Sequence, residues 1–214
     1  MVGNFGNAEV FSFHATKFCN SLEGGAIVTN DDEVARRVRL MRNFGLAGPD
    51  LGECLGTNGK MNEISAAMGL TSLARLDRFV HVNLENYHRY RLDLSGVPGI
   101  SLMAYDETVR NNYEYIVLEV DERQTFVTRD QLLAILAAEN VLARRYFYPG
   151  CHRMEPYRSE DPEAGRRLPE TEKLLERVIC LPTGTAITLT DVSRICLLIR
   201  FVVEHGAAIR EKLE

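Results

Sequence analysis

A strand–turn–strand pattern in residues 9–29 constrains this chain more than any other stretch. Short apolar runs predict strands at Val10–Phe13 and Ala26–Thr29, and the polar turn between them carries Lys17. A lysine between buried strands is unusual because an ammonium ion is costly to bury, and only the neutral amine can attack a carbonyl to form a Schiff base. Two interpretations stay open at this point: Lys17 is a nucleophilic amine, or it is a solvated turn residue.

The composition is ordinary for a soluble globular protein. The 214 residues are 45% hydrophobic and 26% charged, with a formal net charge of −5. There is no basic surplus of the kind that marks a nucleic-acid-binding protein. No apolar run in the sequence approaches the roughly 20 residues of a membrane-spanning helix, and the first residues lack the features of a signal peptide. We therefore expect a cytoplasmic protein that binds neither nucleic acid nor a membrane.

The cysteines do not form the pattern of a disulfide framework or of a metal site. There are five of them, and no two have C-x-x-C spacing. Cys151 and His152 are adjacent, but neighbouring side chains of an extended segment point apart and form a poor chelate. We expect no bound metal.

The first half of the chain alternates helices with glycine-rich loops. Asn30–Glu33 supplies a cap and an acidic first turn for a helix predicted over 31–43. The arginines of this helix are interpreted as a solvated face rather than as a phosphate-binding patch. A glycine-rich loop over 45–59 leads to Asn62, which is predicted to cap a long helix. A second helical stretch ends at a Gly-Val-Pro-Gly turn, and a domain boundary is placed after residue 97.

The second half has the pattern of a small α+β lobe. Strands are predicted at Ile100–Met103, Tyr113–Val120 and Val141–Tyr148, with a helix over 129–139 between the last two. This order is typical of a lobe with a mainly antiparallel sheet. A further helix is predicted over 169–178, and Thr188 is predicted to cap the last helix.

A loop over 146–154 overlaps the end of the strand predicted at 141–148 and contains many hydrogen-bonding side chains. Functional residues are concentrated on loops that a rigid scaffold positions, so this loop is a candidate functional segment. A purely structural turn is the alternative interpretation.

The segment from Ser12 to Lys17, followed by Glu-Gly-Gly and an apolar strand, closely resembles the lysine motif of the DegT/DnrJ/StrS family. Its members include pyridoxal-phosphate (PLP) sugar aminotransferases of fold type I. The resemblance implies that Lys17 bonds covalently to PLP and that Ser12 contacts the cofactor phosphate. It also implies an α/β fold, the C-terminal part of a fold type I aminotransferase. Residues 1–97 would form the end of the large mixed-sheet domain and residues 98–214 the small α+β domain.

Two further segments resemble the family. Its Gly-x-Asn segment reaches across a homodimer interface, which implies that Asn58 and Lys60 bind the cofactor phosphate of a partner subunit in a shared active site. Thr57 and Lys60 depart from the usual tyrosine and arginine, and a lysine lacks the bidentate fork of arginine. Without the resemblance to the family, the sequence is equally consistent with Asn58 as an ordinary turn residue and Lys60 as a solvated surface charge. Residues 148–152, Tyr-Pro-Gly-Cys-His, are comparable to the family's Tyr-Pro-x-x-x-His segment, although one residue fewer precedes the histidine, and this resemblance implies that Tyr148 and His152 contact a nucleotide-sugar.

The resemblance implies PLP-dependent transfer of an amino group from an amino acid to a nucleotide-linked 4-keto-6-deoxyhexose. Residues 13–43 are most similar to the branch that acts on dTDP-4-keto-6-deoxyglucose, in which glutamate is the usual donor. In full-length members the glycine-rich phosphate turn, the ring-stacking aromatic residue and the pyridine-binding aspartate precede the lysine. None of them can be assigned in this sequence. We therefore expect a piece of a longer protein, or a gene read from an internal start, and an isolated chain that is inactive.

Two alternatives to the aminotransferase remain. The first is a non-catalytic binding or interaction protein that keeps the scaffold without the chemistry, which a retained Lys17 argues against. The second is a PLP-dependent sugar dehydratase of the same family, in which a histidine replaces the lysine. A Rossmann or flavodoxin-like domain is disfavoured because no G-x-G-x-x-G follows a predicted strand.

Overall fold

The structure, a computed structural model, describes Gly3 and residues 5–213. Internal contacts divide the chain into two compact units, the first ending at Asp77 and the second beginning at Arg78. Within the described part, no helix combines the length and the hydrophobicity needed to cross a membrane.

The first unit consists of two small antiparallel sheets and two helices. Its elements are β1 (Glu9–Ser12), β2 (Gly25–Val28), α1 (Asp32–Arg42), β3 (Leu46–Gly48), β4 (Leu51–Gly52) and α2 (Glu63–Ala74). Strand β1 pairs with β2 so that Val10 lies opposite Ile27, and β3 pairs with β4. The predicted lysine-bearing strand–turn–strand is therefore present, with each strand beginning one residue earlier than predicted.

Side-chain caps begin both helices of the first unit, as the sequence predicts. The Asp31 carboxylate accepts hydrogen bonds from two backbone N–H groups of the first turn of α1. The Asn62 side chain accepts one from the backbone N–H of Ser65 at the start of α2. Ser72 of α2 is buried and donates its hydroxyl to the carbonyl oxygen of Asn20, 2.8 Å away. Helix α2 is thereby fastened to the end of the lysine-bearing turn.

The second unit is a three-stranded antiparallel sheet with helices. Its elements are α3 (Leu76–Asp93, which begins two residues before the unit), β5 (Ile100–Leu102), β6 (Ile116–Val120), α4 (Glu122–Thr125), α5 (Arg129–Ala138), α6 (Tyr157–Glu160), α7 (Pro169–Leu175), β7 (Val178–Leu181), α8 (Leu189–Glu204) and α9 (Gly206–Leu213). Short 3-10 helices lie at Cys151–Arg153 and Ala164–Arg167. The strand order is β5-β6-β7.

The core of the second unit lies on one face of this sheet. Every second residue of the central strand β6 is buried, beginning with Ile116 and Leu118. Tyr90 of α3, Leu132 of α5 and Ile199 of α8 belong to the same buried cluster. The predicted small lobe with an antiparallel sheet is therefore present.

The strand predicted at Val141–Tyr148 is wrong, and β7 takes its place in the sheet. Only Arg144 pairs within that segment, through a single bridge to Cys180. Beyond it the chain turns, because the backbone N–H of Tyr148 bonds to the carbonyl of Arg145 rather than to a neighbouring strand. Strand β6 also begins later than predicted, at Ile116 rather than Tyr113, whose φ of 51° is incompatible with an extended strand.

The two compact units divide between Asp77 and Arg78, earlier in the chain than the domain boundary predicted after residue 97. Tyr87 and Tyr90, both on α3, are fully buried in the core of the second unit. This helix therefore belongs largely to the second unit. The assignment of residues 1–97 and 98–214 to a large and a small domain stays a prediction.

Candidate functional site

Lys17 lies in an exposed turn rather than between buried strands. The backbone N–H of Lys17 bonds to the carbonyl of His14 at 2.9 Å and closes the turn. Its side chain is exposed, and no hydrogen bond or ion pair holds its ammonium group within the described part of the chain. Of the two interpretations left open by the sequence, the exposed position matches a solvated turn, because the flanking strands are themselves open to solvent, with Ile27 48% exposed.

His14 and Thr16 fix the shape of the turn that leads into Lys17. The backbone N–H of Thr16 donates to Nδ1 of His14 at 3.2 Å, so this ring nitrogen is an acceptor. The Thr16 hydroxyl lies 2.9 Å from the same nitrogen, and the other ring nitrogen faces Glu23 at 3.6 Å. These two side chains thus serve the turn itself and leave the Lys17 amine free.

Ser12 places a hydroxyl at the end of β1, five residues before the lysine. Its oxygen accepts a hydrogen bond from the backbone N–H of His14 at 3.3 Å, and its side chain is exposed. The hydroxyl proton remains available for donation to an anion. A hydroxyl donor and a free amine are groups that suit the phosphate and the carbonyl of PLP, so the residues present fit this cofactor.

Steric contacts explain why glycines occupy positions 24 and 25, directly after the lysine turn. A Cβ added to Gly24 would lie 2.5 Å from the terminal carbon of Met61 and 2.8 Å from the hydroxyl oxygen of Ser21. Its φ of 149° also lies in the region that L side chains rarely adopt. At Gly25 the added atom would lie 2.7 Å from the carbonyl oxygen of Phe11 across the β1–β2 pair. The Glu-Gly-Gly motif therefore allows close backbone approach beside the lysine turn.

Lys60 is held by residues of its own unit. Its Nζ donates to the Asn43 side-chain oxygen at 3.1 Å and lies 4.3 Å from the centre of the Phe44 ring. Asn58 forms an isolated bridge with Asn43, which fixes the loop next to the end of α1. An ammonium group has three N–H donors, so Lys60 keeps donors for a further ligand. Asn58 and Lys60 are both exposed.

Tyr148 lies against two guanidinium groups. The carbon Cζ of Arg145 is 4.0 Å from the centre of its ring, and that of Arg129 is 5.3 Å away. Arg129 is buried, and its Nη1 donates to the carbonyl of Val178 at 2.8 Å. The Asp130 carboxylate lies 2.7 Å from Nε of Arg129 but is poorly aligned for a hydrogen bond. Nη2 of Arg129 has no hydrogen-bond partner among the described residues.

His152 lies in a different environment from Tyr148. Its Nε2 is 2.6 Å from Oε1 of Glu172, and its side chain is only 10% exposed. Arg153 also binds this carboxylate, and these contacts hold the pKa of Glu172 below its usual value, the hydrogen bond from Arg153 being the larger cause. His152 also lines a cavity from which Tyr148 is absent. The structure therefore does not bring the two candidate residues of the loop into one pocket.

That cavity, of about 690 Å³, lies on the face of the second unit's sheet opposite the core. The non-core side chain of Val117 on β6 lines it, together with Leu174 of α7 and Val178 of β7. Its lining is mainly apolar, and its polar residues include Ser101, Glu119, Tyr146, His152 and Thr171. Its size falls within the usual range for small-molecule sites.

Sequence reasoning missed Glu172 and Arg129. Glu172 falls within the helix predicted over 169–178, where its type and position match those of a solvated surface residue. Arg129 stands at the first position of a predicted helix, where an arginine is ordinarily exposed. In both cases the significant feature is a neighbour distant in sequence. Among the described residues, no cluster of three or more His, Cys, Asp or Glu side chains is arranged to hold a metal.

Comparison with known proteins gives concordant matches. A sequence profile of the DegT/DnrJ/EryC1/StrS aminotransferase family matches residues 1–200. The chain is 33% identical over 177 residues to a dTDP-4-amino-4,6-dideoxy-D-glucose transaminase of Shigella dysenteriae, covering 83% of this chain and 47% of that protein. It is 28% identical to the spore coat polysaccharide biosynthesis protein SpsC of Bacillus subtilis (strain 168), covering 95% of this chain and 56% of that protein.

A solved structure matches the fold. The crystal structure of DesI in the presence of its TDP-sugar product is similar with a TM-score of 0.89 at 45% identity, covering 98% of this chain and 53% of DesI. The predicted α/β fold of a PLP aminotransferase is therefore confirmed. The chain spans about half the length of the relatives that it matches.

Proposed function

Because the chain belongs to the DegT/DnrJ/EryC1/StrS aminotransferase family, we propose that the protein transfers an amino group from an amino acid, glutamate, to a nucleotide-linked 4-keto-6-deoxyhexose. The proposed cofactor is PLP. The observation that carries the proposal is Lys17, whose amine has no partner among the described residues and is presented by a fixed turn five residues after the Ser12 hydroxyl. The nucleotide-sugar class is supported by the Shigella relative, named for a dTDP-4-amino-4,6-dideoxyglucose, and by DesI, whose structure was determined with a TDP-sugar product.

The proposed chemistry divides between the cofactor and this chain's own residues. PLP, when bound, stores the electrons of the substrate carbanion. Lys17 would hold the cofactor through Nζ, and its free amine would carry a proton to and from the reacting carbon. Ser12 donates its hydroxyl to the phosphate. Neutral Nζ is required for both roles of the lysine, because an ammonium group has no lone pair.

Asn58 and Lys60 are proposed to bind the cofactor phosphate of a partner subunit in a homodimer. Two features support this role: both residues are exposed, and Lys60 retains N–H donors beyond its bond to Asn43. The Phe44 ring and Asn43 together restrict the ammonium group, which lowers the entropy lost when it binds an anion.

Tyr148 and His152 are proposed to contact the nucleotide-sugar. Tyr148 is partly exposed, and its ring is fixed against Arg145, so its hydroxyl is offered on a restrained side chain. His152 lines the 690 Å³ cavity and is fixed by Glu172. Each residue thus presents a hydrogen-bonding group at a separate position of the loop.

We further propose that residues 1–214 alone bind PLP weakly and are inactive. Lys17 and Ser12 are both exposed, so a cofactor held only by these groups would remain largely hydrated. An interaction in a high-dielectric setting of this kind contributes little affinity. Tight binding of PLP would therefore need further protein groups in addition to Lys17 and Ser12.

A non-catalytic interaction protein is the second candidate, and one observation favours it. Helix α2 buries Ser65 and Ser72 but exposes Ile64, Leu70 and Leu73. Apolar side chains exposed together on one element are typical of a surface that another protein covers. Such a surface is compatible with an enzyme subunit as well, so the distinction rests on Lys17. A PLP-dependent dehydratase is disfavoured because this family's dehydratases carry histidine at the lysine position.

The test is to trap the cofactor on the lysine. Because residues 1–214 alone are proposed to bind PLP weakly, the test uses the full-length protein, which is incubated with PLP, reduced with sodium borohydride, digested and mapped by mass spectrometry. We expect the reduced PLP adduct on Lys17, its loss in Lys17→Ala, and its retention in Lys173→Ala, which removes another exposed lysine. Labelling that does not depend on Lys17 would refute the enzymatic proposal and favour the interaction protein. The substrate is then tested by supplying glutamate and dTDP-4-keto-6-deoxyglucose and seeking an amino-sugar product by mass spectrometry.

A further inference from the structure

The imidazole of His152 is packed between a glycine and a carboxylate. A Cβ added to Gly150 would lie 2.8 Å from the ring carbon Cε1 of His152 and 2.9 Å from Leu175. On the other side, Nε2 of His152 lies 2.6 Å from Oε1 of Glu172. The ring therefore has little room to rotate, and one of its two nitrogens already has a partner.

The carboxylate that binds His152 is itself held in place. Nε of Arg153 donates to Oε1 of Glu172 at 3.1 Å, and Nη2 of Arg153 binds Oε2. Arg153 is further tethered to Glu176 at 3.4 Å, one helical turn after Glu172. A carboxylate bound by a guanidinium group is ionised at neutral pH and acts only as an acceptor.

An ionised acceptor determines which tautomer the neutral imidazole adopts. Because the Glu172 carboxylate cannot donate a proton, the short contact to Nε2 of His152 requires that this nitrogen carry the hydrogen. In a neutral ring the other nitrogen, Nδ1, then has a free lone pair. No hydrogen-bond partner for Nδ1 of His152 occurs within the described residues.

We propose that Glu172 is a positioning residue for His152. Its carboxylate fixes both the orientation and the tautomer of the ring, so that Nδ1 is presented as a hydrogen-bond acceptor. The matching ligand group is a hydroxyl, of which a sugar has several. The inference rests on the proposed function, in which His152 contacts the nucleotide-sugar, and it adds that His152 accepts a hydrogen bond rather than donating one.

The tautomer can be measured without cofactor or substrate. The ¹⁵N-labelled protein is examined by long-range ¹H–¹⁵N NMR at a pH of about 8, above the usual imidazole pKa of about 6.5. The sequence contains five histidines, and the His152→Gln variant identifies the signals of this ring. We expect Nε2 at the shift of a protonated nitrogen and Nδ1 at that of an unprotonated nitrogen.

Two variants isolate the role of the carboxylate. In Glu172→Gln the ionised acceptor is lost, and we expect the two nitrogen shifts of His152 to move toward each other as both tautomers become populated. Glu176→Gln is the matched control, because Glu176 contacts Arg153 without contacting His152. Its spectrum should keep the wild-type tautomer. If Glu172→Gln fails to fold, the wild-type spectrum alone still decides whether the proton is on Nε2.

A proton on Nδ1 in the wild-type protein, or unchanged shifts in a folded Glu172→Gln variant, would overturn the inference. Addition of dTDP-glucose, an unreactive nucleotide-sugar, tests the underlying substrate contact separately. A shift of the Nδ1 signal supports that contact. Unperturbed His152 signals at saturating dTDP-glucose would refute the sugar-binding role, whereas the tautomer measurement judges Glu172 on its own.

Discussion

The hydroxyl of Tyr90 donates a hydrogen bond to the carbonyl oxygen of Pro182 across 3.0 Å. Tyr90 lies on α3 and is fully buried, and Pro182 directly follows β7. Burial raises the pKa of this phenol, so the hydroxyl stays protonated and able to donate. The bond joins the first helix of the second unit to the edge of its sheet, between residues that are far apart in sequence.

Replacing Tyr90 with Phe should therefore destabilise the second unit. The substitution keeps the ring but leaves a carbonyl oxygen without its partner, which costs about 1–3 kcal/mol of unfolding free energy. Urea denaturation followed by circular dichroism measures the change. Tyr157→Phe is the control, since Tyr157 is 57% exposed and should give no measurable loss. Equal stability of the two variants would show that the Tyr90 bond contributes nothing.

The lysine-bearing turn should be sensitive to a methyl group at Gly24. In Gly24→Ala the new Cβ would meet Met61 and the buried Ser21, and the backbone conformation disfavours any side chain. We expect a loss of about 1–3 kcal/mol in stability, by the usual cost of such strain, and reduced PLP labelling of Lys17. Gly48→Ala is the control, because no atom of the described residues lies within 4 Å of its added Cβ. Wild-type labelling in Gly24→Ala would contradict the steric argument.

The cap of α8 should contribute to stability. Thr188 accepts a hydrogen bond from the backbone N–H of Asp191 at 3.2 Å, and the Asp191 carboxylate accepts one from the Thr188 N–H at 3.1 Å. Thr188→Ala should cost about 1 kcal/mol. Thr190→Ala, an exposed position in the same turn, should be neutral or slightly stabilising, because alanine favours helix. Thermal denaturation of the two variants provides the comparison.

The same cap predicts a pH dependence. The hydrogen bond from the Thr188 side chain, followed by that from its backbone, lowers the pKa of Asp191. A carboxyl group whose pKa is lower in the folded state stabilises the fold above its unfolded pKa of about 3.9, and that stabilisation disappears as the pH falls through the folded value. Asp191→Asn should therefore weaken the acid sensitivity of unfolding. Identical pH profiles for this variant and the wild-type protein would refute the linkage.

The cysteines should differ sharply in reactivity toward a thiol reagent. Burial raises the pKa of the Cys196 thiol to about 12, so its reactive thiolate is scarce at neutral pH. Cys54 and Cys151 are exposed. In a time course with dithionitrobenzoate we expect these two to react first and Cys196 to react only on unfolding. The Cys196→Ala variant should leave the rapid phase unchanged and remove one slow equivalent.

Local sequence patterns predicted the longer helices but not every strand. Asp31, Asn62 and Thr188 cap helices as expected, because a cap needs only residues within one turn. The third strand of the small sheet was misplaced because Val141–Tyr148 has strand-like composition, whereas pairing with β6 is a long-range choice that favoured Val178–Leu181.

The burial and the side-chain contacts of the candidate site were likewise not predictable from local sequence patterns. The motif predicted that Lys17 stands in a turn between strands, but its exposure depends on what covers those strands. The bond between His152 and Glu172 joins residues 20 positions apart, with helix α6 and a 3-10 helix between them. Neither composition nor periodicity encodes such a distance, so Glu172 had no local signal to distinguish it from other surface glutamates.

The packing of Met61 against Gly24 links two segments of the candidate site. It immediately follows Lys60 in the chain, and its terminal carbon occupies the space that a side chain at Gly24 would need. The loop that is proposed to bind one phosphate through Lys60 therefore packs against the turn that carries Lys17. The hydrogen bond from Ser72 to Asn20 also joins the following helix, α2, to the end of that turn. An anion that immobilises Lys60 would therefore also stiffen the turn that carries Lys17.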